Sequence, residues 1–217
     1  MNRQTPTFGI FATPIFRATT GSSELADMLT VFLLSKENSS TRNPDSPQQI
    51  HKNLFESRFD LFHWHDPEIE SLKQVVYGGL MQYVKDINGC DDQALANLSF
   101  NHESWFHITR KGGYFQPHTH PLASVSLIYC VDPGDEEMQD ENEAGYLVLS
   151  DPRHNASMYL DPANHNMTRD YTFNTVRFRL KKDELLIFPS YLQHHVEPYM
   201  GETPRITIAA NFSFSLK

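Results

Sequence analysis

A mainly β architecture with helices near the N-terminus follows from three features of the sequence. Two stretches before residue 90 repeat their apolar residues at helical spacing, and after residue 95 short β-rich runs alternate with turn signals. Of the 217 residues, 39% are hydrophobic and 12% aromatic, enough to line a sizeable core. With no internal repeat and no long linker, a single domain over 1–217 is expected, with helical support at about 20–90 and a β core at about 97–215.

Thr7 to Phe16 (TFGIFATPIF) alternates apolar residues with Thr and Ala and reads as an early strand ending near Pro14. From Ser22 onward Leu25, Met28, Leu29, Phe32 and Leu33 keep a helical period, with Ser22 or Ser23 as N-cap. Glu37 to Gln49 is polar, holds Pro44 and Pro47, and reads as a loop. A second helix is expected from Asp66-Pro67, because proline suits the first helical turn. Its stripe is Ile69, Leu72, Val75, Val76, Leu80, Tyr83, Val84 and Ile87, and Asn88-Gly89 ends it. Strands are expected at Asn97–Thr109, Ala123–Val131, Gly145–Leu149, Tyr171–Leu180, Glu184–Phe188 and Arg205–Phe214, forming a sandwich or barrel. The acidic run Asp132 to Glu143 reads as a solvated loop.

Lys and Arg number 18 against 27 Asp and Glu, a net charge of -9, which argues against a broad grip on nucleic acid. No apolar run approaches the roughly 18 residues a membrane span needs, and no secretory apolar segment follows Met1. Cys90 and Cys130 are too few for a disulfide framework, so a reduced, cytoplasmic setting is expected. The partners expected are a small-molecule or peptide substrate and, for assembly, a second copy in a homodimer, with no nucleic acid and no membrane.

Histidine is the unusual residue type. In Gly112-Gly113-Tyr114-Phe115-Gln116-Pro117-His118-Thr119-His120-Pro121, residues i and i+2 of an extended segment point to one side, so His118 and His120 can present both rings to one point. Neutral imidazole is a preferred ligand for Fe, Zn, Cu and Ni. The segment Phe188-Pro189-Ser190-Tyr191-Leu192-Gln193-His194-His195-Val196 offers a second pair; adjacent side chains diverge, so one of His194 and His195 is expected at the same point. Each histidine taken alone is more often a surface or core residue than a ligand, and two clusters in a β-rich half shift that balance.

A third element is Arg205, in the alternating strand Pro204-Arg205-Ile206-Thr207-Ile208-Ala209-Ala210-Asn211-Phe212, where it shares a face with Thr207. A guanidinium among buried strand residues needs a compensating anion, either a protein carboxylate or a bound one held bidentately with the Thr207 hydroxyl as added donor. Trp105, His107, Tyr114 and Tyr129 lie near the His118/His120 element and are candidates to line a pocket there, although aromatic strand residues are core more often than ligand contacts. His154, His165 and His195 are expected at the surface or a pocket rim, Arg153 either against an acidic substrate or at a turn after Pro152, and Cys130 as a small buried residue.

The segments PHTHP, SVSLIYCVD, GYLVLSDPR, LLIFPSYLQHHVEP and PRITIAANFSF resemble 2-oxoglutarate-Fe(II) oxygenases of the bacterial and phage type, distant relatives of the prolyl hydroxylases. The resemblance covers roughly residues 100–215, and FATPIF resembles that family's first strand. It implies a double-stranded β-helix (jelly roll, cupin-like) and an Fe(II)- and 2-oxoglutarate-dependent dioxygenase that releases succinate and CO2 while hydroxylating an aliphatic C–H. By the family's motif order, His118 and His194 match metal ligands and Arg205, with Thr207 beside it, matches the holder of the distal carboxylate of 2-oxoglutarate. His120 stands where most of the superfamily has Asp or Glu, which implies a catalytic metal set of His118, His120 and His194. A third neutral imidazole leaves the ion its full charge of 2+, so dianionic 2-oxoglutarate gains attraction. Gln116, Asn101 and backbone carbonyls are the candidate acceptors for the rings' other N–H groups.

Two other readings fit the same residues. One is a cupin-like three-His metalloprotein, either a 2-oxo-acid-independent dioxygenase or a Zn or Ni isomerase; Ser124 stands where a cupin glutamate is usual, and Arg205 has no role there. The other is a non-catalytic metal-binding module.

Overall fold

The computed structural model describes residues 10–45, 53–135, 145–153, 161–163, 165–167, 171 and 175–217. The chain runs β1 (Phe16–Thr19), α1 (Ser23–Ser35), β2 (Leu54–Glu56), a 3-10 turn (Leu61–His63), α2 (Pro67–Asn88), α3 (Asp92–Ala96), β3 (Leu98–Thr109), β4 (Phe115–His118) and β5 (Val125–Asp132). It continues through β6 (Leu147–Ser150), β7 (Thr175–Phe178), β8 (Glu184–Pro189), β9 (His194–Val196) and β10 (Arg205–Leu216).

Two antiparallel sheets form. One has the order β1-β8-β5-β10-β3-β2, the other β4-β9-β6-β7. Non-consecutive neighbours show that the chain crosses repeatedly between sheets, the winding of a double-stranded β-helix. Pro67 opens α2 and Gly89, at φ 60, closes it, as its sequence signals require. The apolar stripe of α2 (Ile69, Leu72, Val76, Leu80) joins Leu29 and Leu33 of α1 against Ile187, Ile206, Ile208 and Phe212 of the larger sheet. A second cluster, with Cys130, Leu147, Leu149, Leu186 and Phe188, fills the space between the sheets. Alternation along β10 therefore divides its side chains: Ile206, Ile208 and Phe212 face the helices, whereas Arg205, Thr207, Ala209 and Asn211 face the second sheet.

Several boundaries differ from the sequence reading. The first strand begins at Phe16, after Pro14, because residues 16–19 are the ones that pair with β8 (Phe16↔Ile187 to Thr19↔Glu184). Residues 7–9 of the expected strand lie outside the described residues, as do 136–143 of the acidic run, 172–174 of the expected Tyr171–Leu180 strand, and His154. The described part of that late strand is β7 alone. Short β2, β4 and β9 had no predictive alternation, since three or four residues carry too little pattern. Ser22 caps α1 without a side-chain bond; its backbone N–H donates instead to Asp183 (2.8 Å), which also accepts from the Tyr129 hydroxyl (2.8 Å). No helix among the described residues is long and apolar enough to cross a membrane.

Candidate metal and cosubstrate site

The smaller sheet brings two distant histidines face to face. In the β4–β9 pairing His118 stands opposite His194, and the backbone N–H of His120 donates to the Ser190 carbonyl (3.1 Å), anchoring the turn beyond β4 to the segment before β9. Ring centroids of His118 and His194 are 4.3 Å apart, those of His118 and His120 4.9 Å, and those of His120 and His194 5.2 Å. One nitrogen from each ring lies within 4.8 Å of the others, a group that can hold a metal ion. His195 follows the opposite face of β9 and does not line this cavity.

Two of the rings are oriented by backbone carbonyls. The Nδ1–H of His118 donates to Gln116 O (2.8 Å) and that of His194 to Leu192 O (2.9 Å), which leaves Nε2 of each with its lone pair. Of the acceptors considered from sequence, Gln116 serves through its backbone, while Asn101 lies in a separate groove. Burial and the neighbouring His118 and His107 lower the His120 pKa to about 4. Burial, then His118, brings His194 to about 3. His118 is also lowered, mainly by burial, against the opposing pull of its hydrogen bond to the Gln116 carbonyl. Each ring is thus kept in the neutral form that binds a metal.

The opposite wall is the inner face of the larger sheet, and it places Arg205, Thr207 and Asn211 in the same cavity as the three imidazoles. Arg205 is only 5% exposed, and burial lowers its pKa. Among the described residues no carboxylate and no hydrogen-bond acceptor meets its guanidinium. Thr207 is buried one step along the same face.

Trp105 and His107, weighed from the sequence as core or pocket-lining residues, line the cavity because β3 presents them on the face shared with Thr109, while Tyr129 lies on the other side with Asp183. Nε2 of His107 lies 3.0 Å from Glu56 Oε2, and the Trp105 indole N–H points at the same nitrogen from 3.1 Å. The Ser126 hydroxyl donates to Asn211 Oδ1 (2.7 Å) and meets the Ser190 hydroxyl at 2.8 Å. Period-2 alternation of β3 and β10 carried the signal for Trp105, His107 and Asn211; nothing local marked Glu56. Arg153 pairs with Asp151 at its turn, and Cys130 is fully buried, both as expected.

A more open groove adjoins the cavity at His120 and Asn211 and continues past them between Asn101, Glu103, Leu122 and Ser213. Arg205, the imidazoles and this groove therefore follow one another along the same face of β10.

The donor chemistry fits the groups the sequence resemblance implies. Three neutral imidazoles suit Fe(II), and a buried guanidinium that meets no anion among the described residues suits a diacid. Comparison with known proteins points the same way. Residues 103–211 match the family described as "Putative 2OG-Fe(II) oxygenase", and all four of His118, His120, His194 and Arg205 fall inside that match. No curated protein sequence matches the chain. Among solved structures, a Pseudomonas putida prolyl-4-hydroxylase superposes with a TM-score of 0.64 at 12% identity, covering 93% of this chain and 92% of that one. A Trichoplax adhaerens prolyl hydroxylase, in complex with a hypoxia inducible factor oxygen degradation domain peptide fragment, gives 0.59 at 16% identity, over 93% and 84%. HygX from Streptomyces hygroscopicus, with nickel and 2-oxoglutarate bound, gives 0.57 at 13% identity, over 93% and 83%. These likenesses show the shared double-stranded β-helix. The family match spans half of the 217 residues and contains the whole imidazole and guanidinium set, so this chain belongs to the 2-oxoglutarate-Fe(II) oxygenase family, with Fe(II) and 2-oxoglutarate as its cofactors.

Proposed function

We propose that this protein is a dioxygenase that hydroxylates an organic substrate and releases succinate and CO2. The observation that carries the reading is the meeting, in a single cavity, of three neutral imidazoles and one buried guanidinium that meets no anion among the described residues. His118, His120 and His194 hold the metal, and Arg205 with Thr207 holds the distal carboxylate of 2-oxoglutarate. Fe(II) bound there would supply the oxygen chemistry, with His118, His120 and His194 as its protein ligands and 2-oxoglutarate as its cosubstrate.

The chain's own residues orient and exclude. Gln116 and Leu192 carbonyls hold two ligand rings in one tautomer, and Phe115, Phe188, Leu147 and Val196 keep the cavity apolar. Electrostatic pairing in such a dry site is stronger than in water, which favours the diacid's carboxylate on Arg205. The substrate approaches through the groove beside His120, whose Asn101, Glu103 and Ser213 can hydrogen-bond a peptide or a polar small molecule. The peptide-bound Trichoplax relative supports the peptide option.

The cupin-type alternatives leave Arg205 without a task, and a buried charge without one is costly. Anaerobic titration with Fe(II) and 2-oxoglutarate tests the reading: a visible charge-transfer band and, under air, succinate are expected. Absence of both overturns it.

A further inference from the structure

Cross-strand pairing lays out the inner face of the larger sheet as rungs between β3 and β10. In order they are Thr109–Arg205, His107–Thr207, Trp105–Ala209, Glu103–Asn211 and Asn101–Ser213. The first three rungs line the cavity, the last two line the groove, and Asn211 lines both. Arg205 therefore stands at the buried end of one continuous face and Glu103 at its open end.

Among the described residues Glu103 is the only carboxylate lining either space, and no Lys or Arg lines the groove. Its side chain meets no cation among those residues. Burial, with His63 and Lys73 acting in the same sense, holds His102 below its usual range and so neutral. The Ser126 hydroxyl occupies Asn211 Oδ1 (2.7 Å), which leaves Nδ2 as a donor where cavity and groove join. Across the groove, Pro121, Leu122 and Ala123 supply an apolar edge, with Leu122 95% exposed. A space of about 340 Å³ thus offers one anion, one amide donor and an apolar wall.

We propose that the groove selects a substrate with a cationic nitrogen on an aliphatic stem, the side chain of a peptide or a free alkylamine, and that Glu103 determines this specificity. The proposal rests on the dioxygenase reading and adds the class of substrate to it. The cationic head pairs with Glu103 while the stem lies along Leu122, as long charged side chains cover apolar surface. Trp105 stands 5.9 Å from the His120 ring, and Glu103 is the next position on that face, about 7 Å further along the strand. The nitrogen is therefore held several bonds from the C–H nearest the three imidazoles. Opposite charges at the two ends also sort the ligands, the dianion to Arg205 and the cation to Glu103. A net charge of -9 draws cations toward the protein.

Binding is measured by calorimetry on the full chain loaded with Co(II) and 2-oxoglutarate, at low ionic strength. The probes are the peptides acetyl-Ala-X-Ala-amide, with X as lysine, norleucine or glutamate, and 1,5-diaminopentane against 1,5-pentanediol. The cationic probe is expected to bind at least about threefold more tightly than its neutral counterpart, and the glutamate peptide most weakly. Glu103→Gln should bring the cationic probes down to the neutral ones, and Glu103→Lys should put the glutamate peptide ahead of the lysine peptide. Glu24→Gln, which removes an exposed charge on α1, should leave the preference within about twofold of its parent value. A preference in the peptide set assigns the cation to a peptide side chain, and one in the diamine set alone assigns it to a free amine. Preference in neither set, a preference that survives Glu103→Gln, or one lost equally in Glu24→Gln overturns the proposal. Failure of the unaltered protein to take up Co(II) and 2-oxoglutarate is read separately, in the loading step; it overturns the iron reading and the proposal with it.

Discussion

His118 and His194 stand opposite each other in one antiparallel pair, with ring centroids 4.3 Å apart, although β5 to β8 separate them along the chain. Both orienting bonds come from a backbone carbonyl two residues earlier, so each ring is held by its own strand and the pair is held by the register. His118→Ala or His194→Ala should therefore lower Co(II) affinity by more than the roughly 10–100-fold that loss of an outer partner costs, with His195→Ala unchanged. Metal content and Co(II) absorption of the purified variants check this, and equal loss in His195→Ala would count against the assignment.

Arg205 stands buried with no protein anion among the described residues, and a buried charge that lacks a partner costs stability. Arg205→Met should raise ligand-free stability by about 1–3 kcal/mol and abolish the rise in Tm that 2-oxoglutarate produces in the parent protein. Metal binding should persist. Thermal melts with and without 2-oxoglutarate, alongside a Co(II) titration, read all three effects.

The depressed histidines couple stability to pH. In the unfolded chain His194 titrates near 6.5; folded, burial and His118 hold it at about 3. Between these values the unfolded chain binds a proton that the folded protein declines, so stability is complete above about pH 6.5 and falls as pH drops toward 3. His194 contributes a slope of up to about 1.4 kcal/mol per pH unit, and His120, at about 4, adds to it. Urea unfolding of metal-free protein at pH 7.5, 6 and 5 should show the midpoint falling at each step; a flat profile would contradict the buried neutral rings.

Adjacent glycines of α2 should respond oppositely to one methyl group. A Cβ on Gly79 would sit 2.5 Å from Leu185 Cδ2 where the helix meets β8, whereas nothing lies within 4 Å of one on Gly78. Gly79→Ala should destabilise by about 1–3 kcal/mol through overpacking, and Gly78→Ala should stabilise by about 0.5–1 kcal/mol through helix propensity. Paired denaturant midpoints decide it.

Features set by neighbouring residues are legible in the amino-acid order alone. Pro67 and Gly89 mark the ends of α2 through their own backbone preferences, and the apolar period between them names its buried stripe. Alternation in β10 puts Arg205 and Thr207 on one face, and the i, i+2 spacing of His118 and His120 offers both rings to one point. Among the described residues the first strand starts later than its alternation suggests, because pairing with β8 begins where Phe16 meets Ile187.

Strand register lies beyond that local physics. Alternation says which face a side chain takes but not which strand lies opposite, and that depends on packing contacts distant along the chain. Pairing of β4 with β9 brought His194 rather than His195 to His118, the helices covering one face of the large sheet left Arg205 facing the cavity, and β2 carried Glu56 beside His107. Chemistry of the individual residues is written in their order; the convergence that gives them a common task comes from burying two sheets and two helices together.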